Sequence, residues 1–179
     1  MALVLEDGSG VADADTWISD EETTEYWSAR NLTDWVDAEA VDREAAIRMA
    51  ADYMMIIYRW PGQPATLQQR LPWPRVGVPS GAGVFPSNAI PSQVISAQMV
   101  LAVEALRTNL LAKPAPAERA LIEETKSAKG FSKTQKWSTP SVDDLSGLIR
   151  FPVADQILAG ITKRGLGSGF GTAKLVKGW

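Results

Sequence analysis

Between residues 61 and 90 the chain holds six of its eleven prolines and shows no helical period, and this stretch separates two long segments that do. Its centre reads Leu71-Pro72-Trp73-Pro74-Arg75-Val76-Gly77-Val78. Each proline fixes its own φ and disfavours helix at the residue before it, so neither flanking helix can run through. Any fold must therefore join two helices by a stiff, extended connector from which the Trp73 indole is displayed.

The flanking segments carry readable helix signals. Ser19 followed by Glu22 has capping-box spacing, and Asp20 and Glu21 suit the positive helix end, which predicts a helix over 20–30 anchored by Tyr26 and Trp27. After a turn over 31–37, a second helix is expected over 38–58. Val41, Ala45, Met49, Tyr53, Met54 and Ile57 recur on its core face, while Asp42, Arg43, Glu44 and Arg48 face water. Pro61-Gly62 stops it.

A third helix is expected over 91–112, with Val94, Ala97, Leu101, Ala105 and Leu110 inward and Ser92, Gln93, Ser96 and Gln98 outward. Beyond Pro114, strands over 121–129 and 131–138 are expected to form a hairpin around Gly130. A short amphipathic helix over 152–161 carries Val153, Ile157, Leu158 and Ile161.

The expected architecture is mainly α, a small helical bundle with two long helices. Residues 1–16 form an extended N-terminal arm whose run over 2–5 suits an edge strand. Residues 17–119 form the helical domain, with the proline-rich connector over 61–90. A hairpin arm and short helix follow over 120–164, then an extended glycine-rich C-terminal tail over 165–179.

Composition narrows the chemistry. The 179 residues include no cysteine and no histidine, which removes disulfides, thiol chemistry, the usual zinc ligands and the commonest acid-base side chain near neutrality. Asp13 and Asp15 suggest a calcium loop, but Trp17 and Thr24 stand at the fifth and twelfth positions, where the pattern needs ligands. The Gly165-Leu166-Gly167-Ser168-Gly169-Phe170 run has the wrong last residue for a dinucleotide loop and no preceding strand. The pairs Glu123-Glu124 and Asp143-Asp144 are adjacent, which gives no acid-base dyad. No catalytic, cofactor-binding or metal-binding residue is expected, and the chain reads as not an enzyme. No transmembrane span and no secretory leader are expected, because the opening residues lack a charged-then-apolar run and no window reaches about 18 apolar residues, and a protein made in a reducing cytoplasm is expected.

Charge is divided along the chain. Residues 1–100 hold 14 acidic and 6 basic side chains, and residues 101–179 hold 7 acidic and 12 basic, so −8 is followed by +5 and the whole is −3. An isoelectric point of about 5.1 argues against a general nucleic-acid binder. Such polarity suits either copies that attract head to tail or a match to an acidic partner at one end. Lys126, Lys129, Lys133 and Lys136 surround the hairpin with Phe131 and Trp137 interleaved, either a surface for phosphates and bases or a solvated tip. Trp17, Trp27, Trp35 and Trp60 read as packing residues. Trp73, beside Arg75, either braces the connector from within or plugs a neighbouring subunit. A glycine-rich tail is costly to order and is expected to need a partner, with Trp179 as its anchor or folded back on its own subunit.

The Leu71-Pro72-Trp73-Pro74 connector, preceded by a helix ending in Tyr53 and Tyr58, resembles a tailed-bacteriophage family described as DnaT-like single-stranded-DNA-binding proteins. The resemblance runs from the opening Met-Ala-Leu-Val-Leu-Glu-Asp-Gly to the closing Lys174-Leu175-Val176-Lys177-Gly178. Several members look like head-tail adaptors. The resemblance implies a helical subunit in a closed ring of twelve copies, lodged in the virion neck beneath the portal protein. It implies contact with a tail-side neck or tail-terminator protein, transient contact with packaged double-stranded DNA, and no membrane partner.

On that reading Gly165, Phe170, Leu175, Val176 and Trp179 dock on the portal or a neighbouring copy. Trp73 and Arg75 pack the connector or the subunit contact, and the four lysines touch DNA in the channel. The competing expectations are a true single-stranded-DNA binder and another head-completion or neck component.

Overall fold

A computed structural model describes residues 2–81, 83–112, 121–128, 131–137 and 148–163. Its elements are, in order, α1 (Asp20–Ser28), α2 (Thr33–Val36), α3 (Ala40–Ile57), β1 (Gln63–Pro64), β2 (Arg75–Val76), β3 (Pro79–Ser80), β4 (Gly83–Val84), α4 (Ser92–Arg107), β5 (Leu121–Ala128), β6 (Phe131–Trp137) and α5 (Pro152–Leu158). The strands pair antiparallel as β1-β2, β3-β4 and β5-β6, so the described chain is mainly α with three small two-stranded sheets. The tail over 165–179 lies outside the described residues.

Local signals set the ends of α1. The Ser19 hydroxyl accepts from the Glu22 backbone N–H at 3.1 Å, and the Glu22 carboxylate accepts from the Ser19 N–H at 3.2 Å, closing the capping box. Asn31 takes a left-handed φ of 53° just past the helix, a conformation asparagine tolerates. The turn expected over 31–37 holds a helical turn of its own, α2. Its Trp35 is fully buried and donates its indole N–H to Thr24 at 3.1 Å.

Helices α3 and α4 pack together and organise the core. Small side chains at Ala46, Ala50 and Ala51 on α3, and at Ala97 and Ala102 on α4, are buried beside Ile47, Met54, Val94 and Leu101. The expected inward face of α3 is corrected here: Tyr53, Met54 and Ile57 are buried, but Val41 is 70% exposed and Ala45 is exposed. The helix is apolar around much of its girth, and α4 takes the stripe where alanines permit close approach. Helix α4 ends at Arg107 rather than near 112. Asn109 draws the Leu111 N–H onto its side chain at 3.0 Å, an alternative to the helical bond. In α5 the inward residues are Ala154 and Leu158, followed by Ile161, while Val153 is 60% exposed.

Residues 2–16, expected as an extended arm, fold back on the body. Leu5 bridges Thr16 in parallel, and Ala14 and Thr16 are fully buried. The almost fully buried Glu6 carboxylate accepts from the backbone N–H groups of Gly8, Gly10 and Val11 at 2.9, 2.9 and 2.7 Å. Three such donors replace the water the carboxylate gives up. Gly8, at φ +100°, lies against the Asn88 carbonyl so closely that a Cβ would collide, which ties the loop to the approach of α4.

Candidate interaction site

Two regions concentrate the unusual chemistry: the connector around Trp73, and a groove between α2, α3 and α4. In the first, Trp73 is fully buried between Trp60 and Phe85, with ring centroids 6.2 and 5.8 Å away in edge-to-face contacts. The series continues from Trp60 to Tyr58 at 5.9 Å, Tyr58 to Tyr53 at 6.3 Å, and Tyr53 to Phe151 at 5.4 Å. Six rings thus join the connector to the end of α3 and to the start of α5. Such contacts add about 0.5–1.5 kcal/mol per pair beyond burial.

Hydrogen bonds lock the same region. The Trp17 indole N–H donates to the Trp73 carbonyl at 3.1 Å. Arg75 donates to the carbonyls of Pro61, Pro72 and Gly62 at 2.6, 2.9 and 2.9 Å, and burial pulls its guanidinium below its ordinary value. The Trp60 and Trp73 indole N–H groups find no acceptor among the described residues, and both rings are packed edge-to-face against each other. Trp73 and Arg75 are therefore turned inward, and of the two alternatives expected for Trp73 the structure shows the indole bracing the connector from within. Trp60, just before the connector, and Phe85, from within it, pack against the indole.

The tyrosines fasten α5. Tyr53 donates its hydroxyl proton to the Ile149 carbonyl and Tyr58 to the Asp155 carboxylate, each at 2.8 Å. Asp155 also pairs with Arg150 at 2.8 Å. Burial pushes the Tyr53 hydroxyl up to about 12, and burial together with the Asp155 charge raises Tyr58 further. Both are neutral structural donors at physiological pH.

Sequence periodicity missed Gln98, placed with the outward residues of α4 but fully buried. Its amide donates to Thr16 at 2.8 Å and to the Ile47 carbonyl at 3.1 Å, and it accepts from the Trp17 N–H at 3.1 Å. One side chain thereby joins the N-terminal loop, α3 and α4. No local signal marks it, because glutamine suits an exposed helix face equally well.

The second region is a groove of about 370 Å³. Ala38, Ala45, Met49, Ala105 and Leu106 supply its apolar lining, with the carboxylates of Asp34 and Asp42. Asp34 pairs with Arg107 at 2.6 Å, whereas Asp42 has no partner among the described residues. Residues 20–45 carry nine acidic against two basic side chains, a net of −7.

Basic side chains in the described body are largely engaged. Arg43, Arg48, Arg70, Arg107 and Arg150 pair with carboxylates, and Arg30 lies over the Tyr26 ring at 3.4 Å. Aspartate 20 holds the Arg43 guanidinium above its ordinary value, and Asp34 does the same for Arg107. On the hairpin the register sets Lys126 opposite Lys133. Lys129, Gly165, Phe170, Leu175, Val176 and Trp179 lie outside the described residues. Among the described residues, no group of three or more carboxylates is arranged to hold a metal, and no helix is long and apolar enough to cross a membrane.

A family model described as "Putative DnaT-like ssDNA binding protein" matches residues 1–178. Comparison with curated proteins and with solved structures finds no match in either.

Proposed function

The chain belongs to the family described as DnaT-like ssDNA binding proteins, and from that premise we propose that it is a structural protein of the phage virion, a head-tail adaptor. In this reading copies form a closed ring beneath the portal, link the capsid to the tail, and leave a channel for double-stranded DNA. The observation that carries it is the engagement of the body's arginines with its own carboxylates, beside a surface at −7 over residues 20–45. Such a body repels phosphate and leaves DNA free to pass. A ring needs two different faces of one subunit to meet, and the −8 and +5 halves supply opposite charge for them.

Mass measurement of the purified protein, alone and with portal, tests the proposal. The expected result is a monomer that becomes a ring on the portal; failure to bind portal in any state overturns it. Deletion of residues 165–179 is expected to leave a folded subunit that cannot join heads to tails, and normal virions from that mutant would contradict this role for the tail.

A second reading, single-stranded-DNA binding, is favoured by one observation. The hairpin register sets positions 126 and 133, both lysine, opposite each other, which concentrates basic residues on that element. A low-salt anisotropy titration discriminates. Submicromolar binding that is lost when Lys126, Lys129, Lys133 and Lys136 are changed to Glu supports it, and no binding removes it.

A further inference from the structure

We propose that the groove between α2, α3 and α4 receives the terminal Lys174–Trp179 segment of a second copy of this chain. The inference rests on the ring reading above and names the contact that would close the ring. Its starting point is a mismatch between pattern and burial. Val41, Ala45 and Met49 repeat at four-residue steps as a core-facing stripe does, yet Val41 and Ala45 are exposed and Met49 is only partly covered. Ala45 and Met49 line the groove. An apolar stripe left open at the surface, beside an acidic lining, fits an apolar ligand flanked by positive charge.

The chain contains one such segment in its own tail. Residues 164–179 carry Arg164, Lys174 and Lys177 with no acidic side chain, a net of +3, and end in Leu175, Val176 and Trp179. Lys174 and Lys177 bracket the aliphatic pair, matching the unpaired Asp42 and the half-exposed Asp34. The ring reading assigns the tail to a second copy. The tail departs from Lys163, whose N–H bonds the Arg59 carbonyl just beyond the end of α3. Ala45 lies twelve residues before Ile57, about 18 Å back along the helix at ~1.5 Å per residue. The groove therefore lies toward the N-terminal half of α3 and the tail root beyond its C-terminal end, an arrangement compatible with a head-to-tail contact between identical subunits.

The absence of native cysteine makes a disulfide trap clean. Full-length chains carrying Ala45→Cys and Val176→Cys separately are mixed under mild oxidation, with and without purified portal, while oligomer mass is followed on the same samples. The expected product is a mixed disulfide dimer, enriched at least tenfold over the same mixture made with Leu67→Cys, a fully exposed site on the connector, in place of Ala45→Cys. Asp42→Lys in the groove chain is expected to reduce the yield several-fold. An excess of synthetic peptide 164–179 should do the same.

Yield no greater than the Leu67→Cys control, in both conditions, overturns the inference. So does a doubly substituted chain that closes the disulfide only within itself and stays monomeric at every concentration. A ring that assembles without the mixed disulfide refutes the groove while leaving the adaptor reading intact. A mixed disulfide dimer that never grows into a ring upholds the groove and refutes the ring.

Discussion

The connector and the outer stripe of α3 invert what their compositions suggest. Rich in proline and glycine, the connector reads as an exposed spacer, yet Trp73 and Arg75 are closed inside by rings and carbonyls from residues 60–85. The stripe at Val41, Ala45 and Met49 reads as core and lies open. Periodicity reports which residues can share a face. Whether the face is covered depends on the shape of the partner, and α4 fits the alanine side of α3 more closely.

The severest test of this contrast is Trp73→Ala, which empties the centre of the ring series. A loss of about 3–5 kcal/mol is expected in urea unfolding; a loss below about 1 kcal/mol would return the connector to a spacer. Next, Arg75→Met should cost about 2–3 kcal/mol, because three carbonyls lose a charged donor, and Arg75→Lys should recover only part of it. Tyr58→Phe removes the hydroxyl from Asp155 and should cost about 1–2 kcal/mol.

The raised tyrosines also set an alkaline limit. With folded values above the ordinary value of about 10, their contribution is fully present below that pH. It is lost as pH rises through the folded value, about 12 for Tyr53 and higher for Tyr58. Thermal midpoints between pH 8 and about 11.5 should therefore fall in the wild type and flatten in the Tyr53→Phe, Tyr58→Phe double variant. A flat wild-type profile would contradict the burial of these hydroxyls. The smallest effect is reserved for the open stripe: Val41→Ser should change stability by less than about 0.5 kcal/mol, and a larger loss would show that the stripe is covered within the monomer.

Legibility in the sequence followed the range of the cause. The Ser19-Glu22 capping box lies within four residues and was readable, as was the hairpin about Gly130, found as Leu121–Ala128 paired with Phe131–Trp137. Gln98 was not, because its three partners come from residues 16, 17 and 47. Glu6 was missed for a related reason. Its donors are near in sequence, but the loop that holds it lies against a distant segment, with Gly8 beside the Asn88 carbonyl. The lysines expected at a DNA channel and the tail residues expected at the portal carried a pattern of charge and apolarity without a geometry.

By itself, the sequence determined the start of α1 and the stop of α3, the stiffness of residues 61–90, and the opposite charge of its two halves. These follow from φ restriction, capping and counting, which need no distant partner. Only the tertiary structure decided which side of α3 is core, that Trp73 points inward, and that residues 2–16 fold back. Each of those outcomes depends on close packing and desolvation between segments far apart in the chain, where fit of shape and satisfaction of buried polar groups outweigh local preference.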